Sequence, residues 1–140
     1  MPKQVDHEAQ RKELARRAFP AFANKGYAAL GVRELAEELG LSKSAFYHYF
    51  PSKAALYAAV CEDVIASDVA SLRAFLSRSR RREAPLVTFF RWVASNEEHL
   101  LRELRLLVDA ERHPEALDRQ QGATHAYVEA LASLLNLEPS

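Results

Sequence analysis

Lys43, Ser44, Tyr47 and His48 recur at one- and three-residue steps, the spacing that gathers side chains on one face of a helix. They offer an ammonium, a hydroxyl, a phenol and an imidazole, with no carboxylate among them. Such a face can give hydrogen bonds and positive charge to phosphate oxygens, and carries no acid to repel a polyanion. The interleaved Ala45, Phe46, Tyr49 and Phe50 are small or aromatic and form the opposite, buried face. Ser42 stands just before them, where a hydroxyl can cap the first turn.

The elements that hold this face lie between Val32 and Lys53. Leu35, Ala36 and Leu39 share one side of a preceding helix of about eight residues. Gly40 follows where a helix C-cap needs positive φ, which glycine reaches without a Cβ penalty. Leu41 packs back, and Ala36 is small where two crossing helices approach most closely. The pattern is a helix-turn-helix. Two amphipathic helices of an ordinary bundle are the plain alternative, and the acid-free outer face argues against it.

The wider constellation resembles the tetracycline-repressor (TetR) family of bacterial regulators. It is carried by Phe22, Gly26-Tyr27, Val32, Leu35-Ala36, Gly40-Leu41-Ser42-Lys43, Phe46-Tyr47, Phe50-Pro51-Ser52-Lys53 and Leu56. The resemblance implies an all-α fold. Residues 1–52 would be a three-helix DNA-binding head, and residues 53–140 a helical domain for ligand and dimerisation. It implies a DNA-binding transcriptional regulator, a ligand-responsive repressor acting as a homodimer on a palindromic operator in double-stranded DNA. Lys43 and Ser44 would approach bases or nearby phosphates, while Tyr47 and Lys53 hold the backbone. Ser42, His48 and Arg33 complete the expected DNA-binding set. A small-molecule inducer would sit among Phe75, Phe89, Phe90, Trp92 and Tyr127, and would act by shifting the fourth helix and the spacing of two DNA heads. The chain departs from the family at Gly31, where Ser or Thr is usual. It also ends after what resembles the helix before the family's two dimerisation helices, so the second domain is expected to be incomplete.

Composition agrees with such a division. The 140 residues carry 19 basic and 19 acidic side chains and no net charge. Residues 1–60 hold 9 basic and 6 acidic side chains, and residues 61–140 hold 10 and 13. The positive half is thus the half with the helix-turn-helix. A single cysteine, Cys61, permits no intrachain disulfide, which suits a reducing cytoplasm. No apolar run reaches the roughly 18 residues of a membrane span, and the first thirty residues lack a signal-peptide core. A cytoplasmic protein with no membrane contact is expected.

Along the chain, residues 1–8 read as a frayed end and Glu8–Asn24 as a first helix buried through Leu14, Ala15, Ala18, Phe19 and Phe22. Pro20 inside it removes one hydrogen bond and predicts a kink or strong compensating packing. Gly26 suits a left-handed cap, and Tyr27 and Leu30 should tuck onto the core. Ser52 caps a long helix, Lys53–Ser79, with Leu56, Tyr57, Val60, Val64, Val69, Leu72, Phe75 and Leu76 as its stripe. Arg78 to Arg82 read as its solvated C-terminus. Ala84–Ser95 should bury Leu86, Phe89, Phe90 and Val93. Glu97–Glu111, capped by Asn96, should bury Leu100, Leu101, Leu104, Leu107 and Val108. A last helix, Glu115–Asn136, carries Leu117, Tyr127, Val128, Leu131, Leu134 and Leu135, with Gly122 loosening its middle.

Catalysis finds no support: HExxH, GxSxG, CxxC and Gly-rich phosphate loops are all missing from the sequence. Asp109, Glu111 and His113, or Glu98, His99 and Glu103, read as charged surface rather than metal sites. No cofactor is expected. Cys61 reads as a small core residue. The competing class is a helical protein–protein module or adaptor derived from a repressor, with little DNA binding of its own.

Overall fold

The computed structural model describes residues 3–79, 83–110 and 112–136, without the side chains of residues 3–5, 117–124 and 126. They form seven helices: α1 (Lys3–Lys25), α2 (Val32–Glu38), α3 (Lys43–Tyr49), α4 (Lys53–Arg78), α5 (Pro85–Ser95), α6 (Glu97–Ala110) and α7 (Pro114–Leu134). Arg80, Arg81, Arg82 and Glu111 lie outside the described residues, as do the side chain of Leu117 and the packing around Gly122. The fold is all-α. No helix among the described residues is long and apolar enough to cross a membrane.

Local chemistry sets the breaks. Gly26 and Gly40 sit at φ +82° and +68°, the left-handed region that stops α1 and α2. Gly31 precedes α2 with no side-chain cap bond. Beyond α2, the orphan carbonyl of Leu39 accepts a hydrogen bond from Arg17 Nη2 at 3.0 Å, so a cation of α1 closes the second helix. Ser42 Oγ accepts from Ala45 N at 3.1 Å and Ser52 Oγ from Ala55 N at 3.0 Å. Both expected serine caps are present.

The long α4 is the spine. α1, α5 and α7 pack on it, α6 lies against α1, and α2 pairs with α3. One apolar cluster joins Leu14, Ala18 and Phe22 of α1 to Leu35, Leu39, Phe46, Phe50, Leu56, Tyr57, Val60 and Leu106. Burying a large apolar side chain contributes about 1.5–3 kcal/mol. The buried line of Leu14, Ala15, Ala18 and Phe22 lets α1 run through the exposed Pro20. Tyr27 and Leu30 are buried as expected. α1 starts at Lys3 rather than Glu8, and its first turns are held by His7, which stacks on Tyr49 with ring centres 5.1 Å apart.

Four expectations for the later helices need correction. On α5 the buried residues are Thr88 and Trp92, whereas Leu86 and Phe90 are 47% and 62% exposed and Phe89 and Val93 half-buried. The indole turns inward because Ser71 Oγ accepts its N–H at 2.9 Å, which pairs its one donor. On α6 the inward line is Glu103, Leu106 and Ala110, while Leu101, Leu104 and Val108 face solvent. Hydropathy alone selected the wrong side, because Glu103 has polar partners inside. Asn96 does not cap α6 with its side chain; its Nδ2 donates back to Trp92 O at 2.8 Å, at the end of α5. On α7, Val128 is exposed and Leu135 buried.

Candidate nucleic-acid interface

α3 is seven residues long and cannot be stable alone. It is held from both sides. Ser42 satisfies its first turn, and Phe46 and Phe50, both fully buried, fix its inner face. That rotation turns Lys43, Ser44, Tyr47 and His48 outward, and all four are exposed. Tyr47 stands edge-on to Phe46 at 5.7 Å, which orients the phenol away from the core. No acidic residue lies within α3. His7 of α1 adds a second imidazole, edge-on to His48 at 5.2 Å. Nothing in the one-dimensional pattern marked His7, because only the fold brings the start of α1 beside α3.

The remaining expected DNA-binding residues have partners of their own. Arg33 is exposed and pairs with Glu37 one turn later at 3.4 Å, a contact worth little at a surface and readily exchanged. Lys53 lies in the first turn of α4. Its Nζ donates to Tyr27 O at 2.8 Å and sits 4.1 Å above the Tyr27 ring. Lys53 therefore braces the connector ahead of α2 as well as presenting charge beside the head.

The five aromatic residues expected around an inducer are divided. Phe89 stacks on Trp92 at 6.1 Å and meets Phe90 at 5.7 Å. Trp92 is buried and Phe90 faces solvent, while Phe75 and Tyr127 are half-buried. Two clefts lie elsewhere. One runs between α1 and α4, past Arg11, Ala15, Arg16, Ala59 and Asp63. Another lies where the end of α1 meets α6, at Phe22, Gly26, Leu104 and Asp109.

A polar group that sequence reading set down as surface is in fact internal. Asp68 of α4 and Glu103 of α6 are each 4% exposed. Tyr127 of α7 donates to Asp68 Oδ2 at 3.1 Å. Burial, and then the facing Asp68, push the Glu103 carboxyl up to about 9, so it keeps its proton at neutral pH. The same burial and Asp68 push the Tyr127 phenol above its ordinary range. The only sequence signal was the one-turn spacing of His99 and Glu103; Asp68 is 35 positions from Glu103 and no local pattern joins them.

Residues 12–60 match the family of bacterial regulatory proteins, tetR family. The HTH-type transcriptional activator FasR of Mycolicibacterium smegmatis is 29% identical over 138 residues, covering 94% of this chain and 61% of that protein. The HTH-type transcriptional regulator RutR of Escherichia coli is 33% identical over 85 residues, 61% of this chain and 38% of its own length. The chain thus spans less than two thirds of these relatives. In fold it is similar to the TetR family transcriptional regulator PfmR of Thermus thermophilus. There the TM-score is 0.58 and the identity 24%, over 89% of this chain and 68% of that one. The capped, acid-free α3 lies inside the segment that matches the tetR family of bacterial regulatory proteins.

Proposed function

We propose that this protein is a sequence-specific DNA-binding transcriptional regulator working in the cytoplasm, without catalytic activity of its own. Residues 1–52 form the DNA-binding head and residues 53–140 the regulatory domain. The observation that carries this reading is α3: an exposed face of Lys43, Ser44, Tyr47 and His48, free of acids and locked in rotation by Phe46 and Phe50. Placed in a major groove, its N-terminal residues Lys43 and Ser44 reach base edges or adjacent phosphates, and Tyr47, Ser42, Arg33 and Lys53 hold the backbone. Base contacts choose the sequence, and phosphate contacts set the register.

Two heads on a homodimer read two half-sites about one helical turn apart, so a palindromic operator follows from the symmetry. A small-molecule inducer bound in the α4–α7 region, near Phe75, Phe89, Phe90, Trp92 and Tyr127, shifts α4 and with it the spacing of the heads. Repression is the output in this reading. Activation is the second reading, favoured by the similarity to FasR, named an activator, across 94% of this chain and 61% of that protein.

The test is fluorescence anisotropy of a labelled duplex pool with the full 140-residue chain over a salt series. Affinity that falls steeply as salt rises is expected, because bound Lys and Arg displace counterions. No binding at low salt, or binding indifferent to salt, would leave the adaptor reading in place.

A further inference from the structure

Polar side chains of α4, α6 and α7 meet within otherwise apolar packing. Asp68 Oδ2 is occupied by the Tyr127 hydroxyl at 3.1 Å. Asp68 Oδ1 lies 3.9 Å from His99 Nε2. The same Nε2 lies 2.5 Å from Glu103 Oε1. That oxygen is nevertheless buried without a hydrogen bond, since the contact is close but misaligned. One oxygen of each carboxylate and one nitrogen of His99 all lie within 4.8 Å of one another. His99 and Glu103 are one turn apart on α6, so both reach the same side, and Asp68 faces them from α4.

Two carboxyl groups buried side by side call for a polar or charged partner. No Lys or Arg pairs with Asp68 or Glu103 among the described residues. Two carboxyl oxygens and an imidazole nitrogen converge instead, and an unpaired oxygen of a residue more than nine-tenths buried points among them.

We propose that Asp68, His99 and Glu103 form a binding site for a divalent transition-metal ion, with Zn²⁺ the best match. Ca²⁺ and Mg²⁺ prefer all-oxygen shells, whereas imidazole with carboxylates suits zinc and its neighbours. Distances of about 2.0–2.2 Å to each donor are reached by small side-chain adjustments. Three protein ligands leave a fourth tetrahedral position. The His99 side chain is half exposed, so ion and water enter from its side. The Tyr127 hydroxyl holds Asp68 from behind and orients it, as outer-shell partners of metal ligands do. The ion would tie α4 to α6.

The experiment is calorimetric titration of Zn²⁺ into the chelator-treated 140-residue chain, repeated with Co²⁺ read by visible absorption. One equivalent should bind, and Co²⁺ should give the intense absorption of a tetrahedral site. His99→Ala and Glu103→Gln should each remove the Co²⁺ absorption, and Tyr127→Phe should weaken binding by about tenfold. Glu103→Gln replaces a protonated carboxyl by a neutral isostere and should stay folded by circular dichroism. His125→Ala, at an exposed His125–Glu129 pair, should leave the titration unchanged. Absence of binding, or equal affinity in wild type, His99→Ala and Glu103→Gln, would overturn the proposal.

Discussion

The Asp109 carboxylate of α6 accepts a hydrogen bond from the backbone N–H of Tyr27 at 2.7 Å. It joins α6 to the connector between α1 and α2. Close by, Tyr57 donates its hydroxyl to Leu106 O at 2.5 Å, inside an aromatic group where Tyr57 stands edge-on to Phe22 and Tyr27. Gly26 makes room for the latch: a Cβ there would lie 3.2 Å from Asp109 Oδ2, on a backbone at φ +82°. Two hydrogen bonds thus tie α6 to the connector and to α4.

Asp109→Ala leaves the Tyr27 N–H without its partner and should cost about 1–3 kcal/mol in urea unfolding. Asp109→Asn keeps an acceptor and should lose less. Equal stability of Asp109→Ala and wild type would mean that the latch carries no weight.

Ser42→Ala removes the only side-chain cap of the seven-residue α3. A loss of about 1 kcal/mol is expected, visible as a lower melting temperature, together with weaker DNA binding because the recognition face frays. Ser42→Gly should cost only a few tenths of a kcal/mol in stability. A variant that melts normally and yet fails to bind DNA would reassign Ser42 from cap to direct contact.

Lys53→Ala should weaken binding evenly across duplex sequences and flatten the log affinity against log salt plot by roughly one unit. It should also lower stability, since Lys53 braces Tyr27 O. Lys53→Arg should retain most of the salt slope. An altered sequence preference at an unchanged slope would place Lys53 on a base instead of a phosphate.

Cys61 is buried, and that burial pushes its thiol up to about 12. Modification by a thiol reagent at pH 8 should be far slower in the native protein than in denaturant. The folded chain keeps a proton that the unfolded chain releases above the ordinary thiol range. This contribution to stability is therefore full below that range and lost as pH rises toward 12. Rapid native-state labelling would refute the core assignment.

The head was legible because its signals are local. A glycine at each positive φ, a serine before each of α3 and α4, and aromatic residues at helical spacing act within one or two turns, and the fold obeys them. The later helices were less legible. α5 and α6 each offer two faces of helical period, and hydropathy favours Leu86/Phe90 and Leu101/Leu104/Val108. The structure selects Thr88/Trp92 and Glu103/Leu106/Ala110, because Ser71 and Asp68 supply partners from α4. Such long-range pairs leave no periodic trace. Lys53 and Asp109 illustrate the same limit: their charges were plain, but their attachment to Tyr27 depends on how distant elements meet.

Selection of bound duplexes from a randomised pool by the 140-residue chain tests sequence-specific DNA recognition most directly. The wild type should enrich an inverted repeat whose half-sites are about one helical turn apart, and Lys43→Ala and Tyr47→Ala should lose that enrichment while remaining folded. A pool that stays random after selection, or the same motif enriched equally by both variants, would contradict the assignment of α3 as the reading helix.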